Sequence, residues 1–547
     1  MAVRKYWVDG DGVVKIIKKN KNKGNTNGQQ GQDNNKDGAA VPEESVSPVF
    51  SKDFDENFQK FKVYLKDGQD VVFRRFTSPI GNTKCGVVFI DGLVSKDWVQ
   101  RDVINPIILG AGQLEKSDQE SVAEANTAKI LMERIVTAAE VKEAQNLDEA
   151  MLPVLSGETV LLVDGYDKAM IIGTRQWAAR SVQEPPSETV IRGPRDGFTE
   201  TLRFNTALLR RRIRDPNLVI KNMTVGRRSK TNVVVSYVKG IARPDLVQMV
   251  EEKIGKIDVD DIHESGEIEQ FLEDNKITPF PQLQSTERPD KAVAAMMEGR
   301  VTILVDGTPF VLIAPAGLYQ FFQSPEDYYE RWIIGSLLRL LRWAGSFLAT
   351  FAPALYIAIV SYHPGMLPTE LALSVAATRE TVPFPAFVEA LLMETTIELL
   401  REAGARLPKA IGQTIGIVGG IIIGDAAVRA GIASPFMVII VAITAISSFI
   451  IPSYNVAIAF RVIRFPIMVL AATLGLYGVM LAFIFINVHM ILLKSFGSNY
   501  MSPVAPIQIR DWKDVFIRVP LQWMQRRPEY INPVDIDRNE QDPVKEM

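Results

Sequence analysis

The segment GQTIGIVGGIIIG, residues 412–424, places a glycine at every fourth position. In an aqueous helix each interior glycine costs about 0.5–1 kcal/mol relative to alanine. In a bilayer the same spacing is favourable, because small residues let two helix backbones approach closely. We therefore expect a membrane helix that packs against another helix through its glycines, which are Gly412, Gly416, Gly420 and Gly424.

Soluble glycine-rich motifs do not fit this segment. A P-loop ends in Gly-Lys-Ser/Thr, so that backbone amides and the lysine can hold phosphates, and no lysine follows these glycines. The G-x-G-x-x-G spacing of dinucleotide-binding proteins is also absent. The remaining alternative is a buried segment of a soluble core.

The surrounding sequence favours the membrane. A span needs about 20 apolar residues, and long apolar runs occupy Trp343–Tyr362, Ala410–Gly424, Ser434–Ser453 and Pro466–Leu493. We therefore expect four spans. Arg339 and Arg342 before the first span predict a cytoplasmic N-terminal side. Arg461 and Arg464, in the expected loop before the last span, would prefer the same side, which requires a fifth crossing.

The composition narrows the function. The chain has 547 residues and a net charge of −3, which does not favour a nucleic-acid-binding protein. Its single cysteine allows no intrachain disulfide, and its three histidines are too far apart in sequence for a metal motif. No acid–base or nucleophile arrangement is evident. We expect no enzymatic activity, no metal and no cofactor.

The first 330 residues predict an α+β region. The runs VLLVDG, ending at Gly165, and TILVDG, ending at Gly307, each stop a β-branched stretch with Asp-Gly, which is a tight-turn signal. A glycine lies seven residues before each aspartate. This similarity predicts two subdomains, related by duplication. Asp164 and Asp306, like Asp91 in the run VVFIDG, are expected to be turn residues instead of catalytic acids.

The predicted fold is thus an α+β cytoplasmic N-terminal domain of two subdomains, followed by an α-helical transmembrane domain. The expected divisions are a disordered polar tail at 1–50, subdomains at 51–182 and 183–330, a helical membrane domain at 331–496, and a C-terminal cytoplasmic tail at 497–547. The tail prediction comes from residues 18–38, which are almost all Lys, Asn, Gly, Gln and Asp.

A basic cluster in the second subdomain has two interpretations. Arginines stand at 210, 211, 212 and 214. A solvated helix end whose arginines pair with acidic neighbours is favoured over a subunit or lipid contact.

Acidic residues mark a helix between the first span and the glycine segment. Glu394, Glu398 and Glu402 recur every four residues and share one face, and Glu389 precedes them. Three interpretations remain open. The helix lies at the membrane interface, its acids pair with arginines such as Arg401 and Arg406, or the acids line a polar path.

Several long motifs resemble one family. They are RGPRDGFTE from Arg192, TERPDKAVAAMMEGRVTILVDGTPFVL from Thr286, VPFPAFVEALLMETTIELLREAGARLP from Val382, GQTIGIVGGIIIGDAAVRAGIASP from Gly412 and GSNYMSPVAP from Gly497. Their order over residues 50–530 is similar to that of the A subunit of bacterial spore germinant receptors, the GerA family. The tail before residue 50 is not covered.

The resemblance implies a multi-pass protein of the spore inner membrane. Family members act with a transporter-like B subunit and a lipoprotein C subunit, and the A subunit is thought to form a homo-oligomeric ring that conducts cations when nutrients arrive. In such a ring the four glutamates would be pore or polar-helix candidates. The family also includes sporulation membrane proteins that act beside the receptors. A secondary transporter and a membrane-anchored scaffold without its own pore are further alternatives.

Overall fold

The structure is a computed structural model of the chain. It describes residues 6–8, 14–16, 49–109, 140–176, 184–185, 187–406 and 424–538. The chain divides into two compact units. Unit 1 contains Met1–Pro185, Asp196–Ile268 and Thr286–Val311, and unit 2 contains Pro186–Arg195, Glu269–Ser285 and Leu312–Met547.

A short hairpin lies within the predicted tail. Strands β1 (Tyr6–Val8) and β2 (Val14–Ile16) pair antiparallel. In the sequence, the runs YWV and VKI are separated by DGDGV at 9–13, a hairpin pattern that the Lys- and Asn-rich residues after them lack. Residues 17–48 lie outside the described part of the chain, so disorder there stays a prediction.

The first half of unit 1 is an antiparallel sheet in the order β3-β4-β6-β7-β5. Its strands are β3 (Val71–Ser78), β4 (Thr83–Ile90), β5 (Val141–Ala144), β6 (Thr159–Val163) and β7 (Ala169–Ile172). One face is covered by α1 (Phe54–Tyr64) and α4 (Leu147–Leu155). The other face is covered by a π-helical turn (Val99–Ile104) and α3 (Asn105–Leu109), which follow the short exposed helix α2 (Lys96–Trp98). The central strands read as continuous apolar runs because both of their faces are buried.

The second half of unit 1 repeats this layering. Strands β8 (Leu218–Val225), β9 (Thr231–Val238) and β11 (Val301–Val305) are antiparallel in the order β11-β9-β8. The helices of this half are α5 (Leu202–Arg212), α6 (Pro244–Gly255) and α8 (Pro289–Met297), and the chain leaves unit 1 within α7 (Ser265–Leu272). Two short strands, β10 (Gln284–Thr286) and β12 (Val311–Ala314), lie side by side where the chain passes from one unit to the next.

A pair of buried asparagines supports the duplication. The amide of Asn57 accepts a hydrogen bond from the Ser51 backbone N–H at 2.9 Å and donates to the Ser51 carbonyl at 2.5 Å. Asn205 makes the same two bonds to Thr199, at 2.8 Å and 2.6 Å. Each asparagine closes the loop that enters the first helix of its subdomain.

The two Asp-Gly turns are also equivalent. Asp164 accepts from the backbone N–H of Phe54 at 3.2 Å, and Asp306 accepts from that of Leu202 at 3.1 Å, so each carboxylate lies at the start of a helix. The glycine after each aspartate has a positive φ, which favours glycine over other residues. The assignment of both aspartates as turn residues is confirmed.

One arginine of the basic cluster, Arg210, joins the two halves of unit 1. Arg210 is buried and makes a bidentate ion pair with Asp70 at 2.7 Å and 2.9 Å, and Arg212 pairs with Asp196 at 2.5 Å. Pairing with acidic neighbours is thus confirmed for these two. Arg210 is not solvated, however, since Asp70 lies at the start of β3 in the first subdomain and covers it.

Unit 2 is mainly helical. Its helices are α9 (Glu326–Tyr329), α10 (Trp332–Tyr362), α11 (Thr369–Arg379), α12 (Ala386–Arg406), α13 (Pro435–Phe449), α14 (Tyr454–Leu474) and α15 (Leu476–Leu492), followed by a hairpin of β13 (Lys494–Ser495) and β14 (Ser498–Asn499). Helices α10 and α14 run parallel. Arg464 donates through Nε to the Ala349 carbonyl at 2.7 Å, and further along both helices Tyr362 donates to the Ala472 carbonyl.

Two helices, α10 and α14, are long and apolar enough to cross a membrane, while α13 and α15 are shorter apolar helices. The four expected spans therefore do not each correspond to one helix of the structure. The stretch Pro466–Leu493 is divided because Gly475, with φ of +62°, ends α14 and starts α15. Arg461 and Arg464 lie within α14 instead of in a loop. The expected span at 410–424 lies outside the described residues except for its last glycine.

The C-terminal segment packs within unit 2 through residue 538 instead of extending as a separate tail. Tyr500 is fully buried in an aromatic cluster with Phe280 and Phe321. Burial of such side chains is favourable by roughly 1.5–3 kcal/mol each, which explains why this polar-looking segment is ordered.

We expect Asp70→Asn to destabilise unit 1 by about 3–5 kcal/mol, because it leaves the buried Arg210 guanidinium without its counter-charge. The matched control is Asp55→Asn, which loses half-exposed pairs with Arg75 and Lys84 and should change stability little. Hydrogen exchange in β8 and β9 of the full chain measures the difference. Equal protection in the two variants would contradict a stabilising role for the Asp70–Arg210 pair.

Candidate functional site: a glutamate–arginine network in the helical unit

The predicted acidic helix is α12. It begins at Ala386, after Pro383 and Pro385, since proline fixes its own φ and restricts the preceding residue. Its four predicted site glutamates all carry arginine partners, although their burial differs.

Glu389 joins three chain segments at one end of α12. Its carboxylate is fully buried and pairs with Arg379 of α11 at 2.7 Å. The other oxygen accepts from both the backbone N–H and the hydroxyl of Ser434, each at 2.6 Å. Ser434 is the N-cap of α13, whose free amides and dipole favour a nearby negative charge. Glu389 is therefore a structural brace.

Glu394 is also buried, and its partner lies on a different helix. Its carboxylate pairs with the Arg464 guanidinium of α14, and both side chains are 1% exposed. Within the described residues, Glu394 Oε1 and Arg464 Nη2 are buried polar atoms with no hydrogen-bond partner. The pair thus holds one spare acceptor and one spare donor in the interior of the unit.

Glu398 lies one turn further along α12 and is 29% exposed. It contacts Arg401 of its own helix at 3.1 Å and Arg461 of α14 at 3.3 Å. Arg401 also donates to the Ser448 hydroxyl of α13 at 3.1 Å and lies over the Phe449 ring. The network therefore ties α12 to both α13 and α14.

The order of these contacts fixes the direction of α12. Going from Glu394 to Glu398 along α12 corresponds to going backwards from Arg464 to Arg461 along α14, so the two helices are antiparallel. Pairing removes much of the cost that charged side chains carry in an apolar setting. The glutamates are therefore no argument against α12 crossing a membrane beside α14.

Glu402 lies outside this buried network. It pairs with Arg406 at 2.5 Å, and the two side chains are 64% and 79% exposed. The expected pairings with Arg401 and Arg406 are thus found for Glu398 and Glu402, whereas Glu394 takes Arg464.

Sequence reasoning assigned Arg461 and Arg464 to a loop and missed their role. The available signal was their spacing of three residues within an apolar stretch, VAIAFRVIRFPIMV. That spacing puts both guanidinium groups on one helix face, as the four-residue spacing does for the glutamates. A matched set of acids and bases on two apolar helices predicts that the helices pair.

The glycine positions are mostly outside the described residues. This applies to Gly412, Gly416 and Gly420, whose packing role stays a prediction. Gly424 is described within a helical stretch at 424–429, where an added Cβ would meet Val438 at an ordinary 3.6 Å.

A second charge cluster lies at the start of α10. Asp327 is fully buried and accepts from Arg339 at 2.8 Å and from Arg342 at 2.7 Å, while Arg339 also pairs with Asp514 at 2.7 Å. We call these four residues the clasp. Because their charges are paired inside the unit, Arg339 and Arg342 do not act as free positive flanks, and the topology argument built on them is weakened.

Neither cluster resembles a metal or catalytic centre. Among the described residues, no group of three or more His, Cys, Asp or Glu side chains could hold a metal ion. Acids alternate with arginines, whose guanidinium groups keep their charge and do not act as proton acceptors. The arrangement is suited to holding helices in register and to exchanging ion-pair partners.

Known proteins resemble this chain over most of its length. The Bacillus/Clostridium GerA spore germination protein family matches residues 59–530. Spore germination protein GerLA of Bacillus cereus is 43% identical over 480 residues, which cover 88% of this chain and 96% of that protein. Spore germination protein B1 of Bacillus subtilis (strain 168) is 44% identical over 483 residues, covering 88% and 98%.

The membrane protein YfkQ of Bacillus subtilis (strain 168) is 42% identical over 487 residues, covering 89% of this chain and 93% of that protein. Among solved structures, the N-terminal domain of the A subunit of the Bacillus megaterium spore germinant receptor GerK3 is 31% identical. It covers 50% of this chain and 98% of its own length, with a TM-score of 0.39.

We expect Glu394→Gln to destabilise unit 2 by about 3–5 kcal/mol, because it leaves the buried Arg464 charge uncompensated. Glu402→Gln is the matched control and should have little effect, since its ion pair is exposed. Thermal unfolding of the full chain in detergent measures both. Equal, small shifts would show that the buried pair does not hold the helices.

Proposed function

The chain belongs to the GerA family of spore germination proteins, and we propose that it is the A subunit of a nutrient germinant receptor in the spore inner membrane. The family match confirms the resemblance noted from the motifs. Relatives named as spore germination proteins over most of their length support a role in germination. The partners on this proposal are a transporter-like B subunit, a lipoprotein C subunit and membrane lipid.

Unit 2 is the proposed membrane domain, with the N-terminal domain on the cytoplasmic side. Support comes from the length and hydropathy of α10 and α14. It also comes from an inverted distribution of side chains: the described network is buried, while large apolar side chains are exposed along the short helix α15. Those exposed residues include Tyr477, Met480, Phe483, Ile484, Phe485 and Val488. Such an arrangement suits a lipid surround.

The proposed activity is cation conduction by a homo-oligomer of this subunit. The observation that carries this proposal is the Glu394–Arg464 pair, two ionisable side chains held in the interior of an apolar helical unit. Ionisable residues in such positions commonly mark ion pathways. Because every glutamate of α12 is paired with an arginine in this conformation, the described arrangement corresponds to a resting state.

The spacing of the network offers a second register. The last three glutamates of α12 recur every four residues. Sliding α12 along α14 by one turn, about 5–6 Å, would therefore bring Glu398 opposite Arg464 and Glu402 opposite Arg461. Glu394 would then be released as a carboxylate able to attract a cation. We propose that this slip accompanies opening, with the spare atoms of Glu394 and Arg464 making exchange of partners possible.

This mechanism assigns Glu402 a role that its resting position does not reveal. We expect Glu402→Gln to leave protein level and assembly unchanged while lowering nutrient-triggered cation efflux several-fold. The measurement is cation release from vesicles that contain the full chain with B and C subunits. Glu370→Gln, an exposed glutamate of α11, is the control and should release cations normally.

The other outcomes are equally decisive. If vesicles with B and C subunits alone release cations as well as the complete set, the chain is a scaffold or an accessory sporulation protein and the conduction proposal fails. If the complete set conducts and Glu402→Gln conducts normally, the register mechanism fails while the function stands.

A further inference from the structure

Helix α10 is longer than a membrane span requires. Its uncharged stretch Trp343–Tyr362 is itself about 30 Å long, enough for the hydrocarbon core. Residues Trp332–Arg342 therefore extend about 16 Å beyond that stretch.

This extension is apolar on its exposed side. Its charged residues, Arg339 and Arg342, are buried in the clasp. Seven large apolar side chains are instead 36–63% exposed, namely Trp332, Ile333, Ile334, Leu337, Leu338, Leu340 and Leu341. A soluble helix would show the opposite distribution.

The C-terminal segment 507–523 is fixed against this extension. The Ser336 hydroxyl donates to the Arg518 carbonyl and accepts from the Arg518 backbone N–H, each at 3.1 Å. Asp514 adds its ion pair to Arg339 at 2.7 Å. Both segments belong to unit 2 and are held together by buried polar bonds.

The segment also exposes apolar and aromatic side chains. Six of them are 40–75% exposed, namely Ile507, Ile509, Trp512, Ile517, Leu521 and Trp523. Arg510 and Lys513 are exposed among them. Tryptophan with basic residues is the composition found where a protein meets the headgroup layer of a membrane.

We infer that residues 507–523, together with Trp332–Arg342, form an interfacial collar that contacts the headgroup layer of an anionic bilayer. The collar rests on the proposed crossing of α10, since the same helix continues from the collar into its uncharged stretch. Apolar side chains at this level bury in the boundary of headgroups and acyl chains, within about 5–10 Å of the surface. Lys513 faces anionic phosphate groups, while Arg510 shares its charge with Glu529 at 2.6 Å.

Lipid is the proposed partner of the collar, because the collar continues the proposed span of α10 and exposes cationic side chains. An exposed apolar surface of this size on a soluble face would be an association site. Here, however, it continues a helix that has the length and composition of a span, and its exposed charged side chains, Arg510 and Lys513, are cationic. A second copy of the chain is the competing occupant, and the experiment distinguishes the two.

Depth measurement on the full chain tests the collar. Cysteines are placed one at a time at Ile509, Ile517 and Leu521, labelled with a nitroxide, and studied in vesicles of phosphatidylglycerol and phosphatidylcholine. The native Cys85 is buried, and burial raises the pKa of its thiol to about 12, so it reacts slowly. Wild-type protein gives the background.

The collar predicts a ratio of oxygen to nickel-chelate accessibility several-fold higher at the three sites than at Lys256→Cys, an exposed position in unit 1. A low ratio at the three sites would place them in water and overturn the proposal. Protection from both reagents would place them against protein and also overturn it.

Two further arms complete the design. Vesicles of phosphatidylcholine alone should shift the three labels towards water, and no shift would refute the role of anionic lipid. A label at Phe347, in the uncharged stretch of α10, should be deeper than all three. A water-exposed label at Phe347 would instead identify the proposed span as the failed premise.

Discussion

The pairing of charge inside an apolar helical unit is the constraint on which unit 2 depends. Glu394 and Arg464 are both buried, and neither charge is tolerable there without the other. Their contact sets α12 antiparallel to α14, Glu398 extends the contact to Arg461, and Arg401 carries it to α13. The ion pairs thereby fix the direction of α12 relative to α14, and the Arg401–Ser448 hydrogen bond holds α13 beside them. The outer surfaces of these helices are left free to be apolar.

The same principle operates at the start of α10. In the clasp, two arginines are buried instead of exposed, and Asp514 binds the C-terminal segment to one of them. The consequence is an apolar exterior that continues past the uncharged stretch of α10, where a soluble protein would show charge. The network, the clasp and the proposed interfacial collar thus share one arrangement. Charged side chains are paired inside the unit, and apolar side chains lie on its outside.

Sequence reasoning succeeded where the signal is local. The Asp-Gly turns, the β-branched runs before them and the helix bearing four glutamates are read directly from spacing. The two subdomains stay a prediction, which the matching bonds of Asn57 and Asn205 support. It failed where the partner is distant. Glu394 and Arg464 are 70 residues apart, and hydropathy reports the composition of a helix but not which helix it contacts. For that reason Arg461 and Arg464 were wrongly expected to lie in a loop, although they lie within α14. The equivalence of Asn57 and Asn205 was likewise invisible, since it lies in side-chain bonds to the backbone.

A double-mutant cycle between Glu394 and Arg464 tests the central claim most directly. Glu394→Gln, Arg464→Met and the double variant are compared by the unfolding of the full chain in detergent. If the two side chains hold α12 to α14 as a pair, the double variant is less destabilised than the sum of the singles, with a coupling of about 0.5–3 kcal/mol, because no buried charge is left unpaired. Additive effects of the two substitutions would contradict the account.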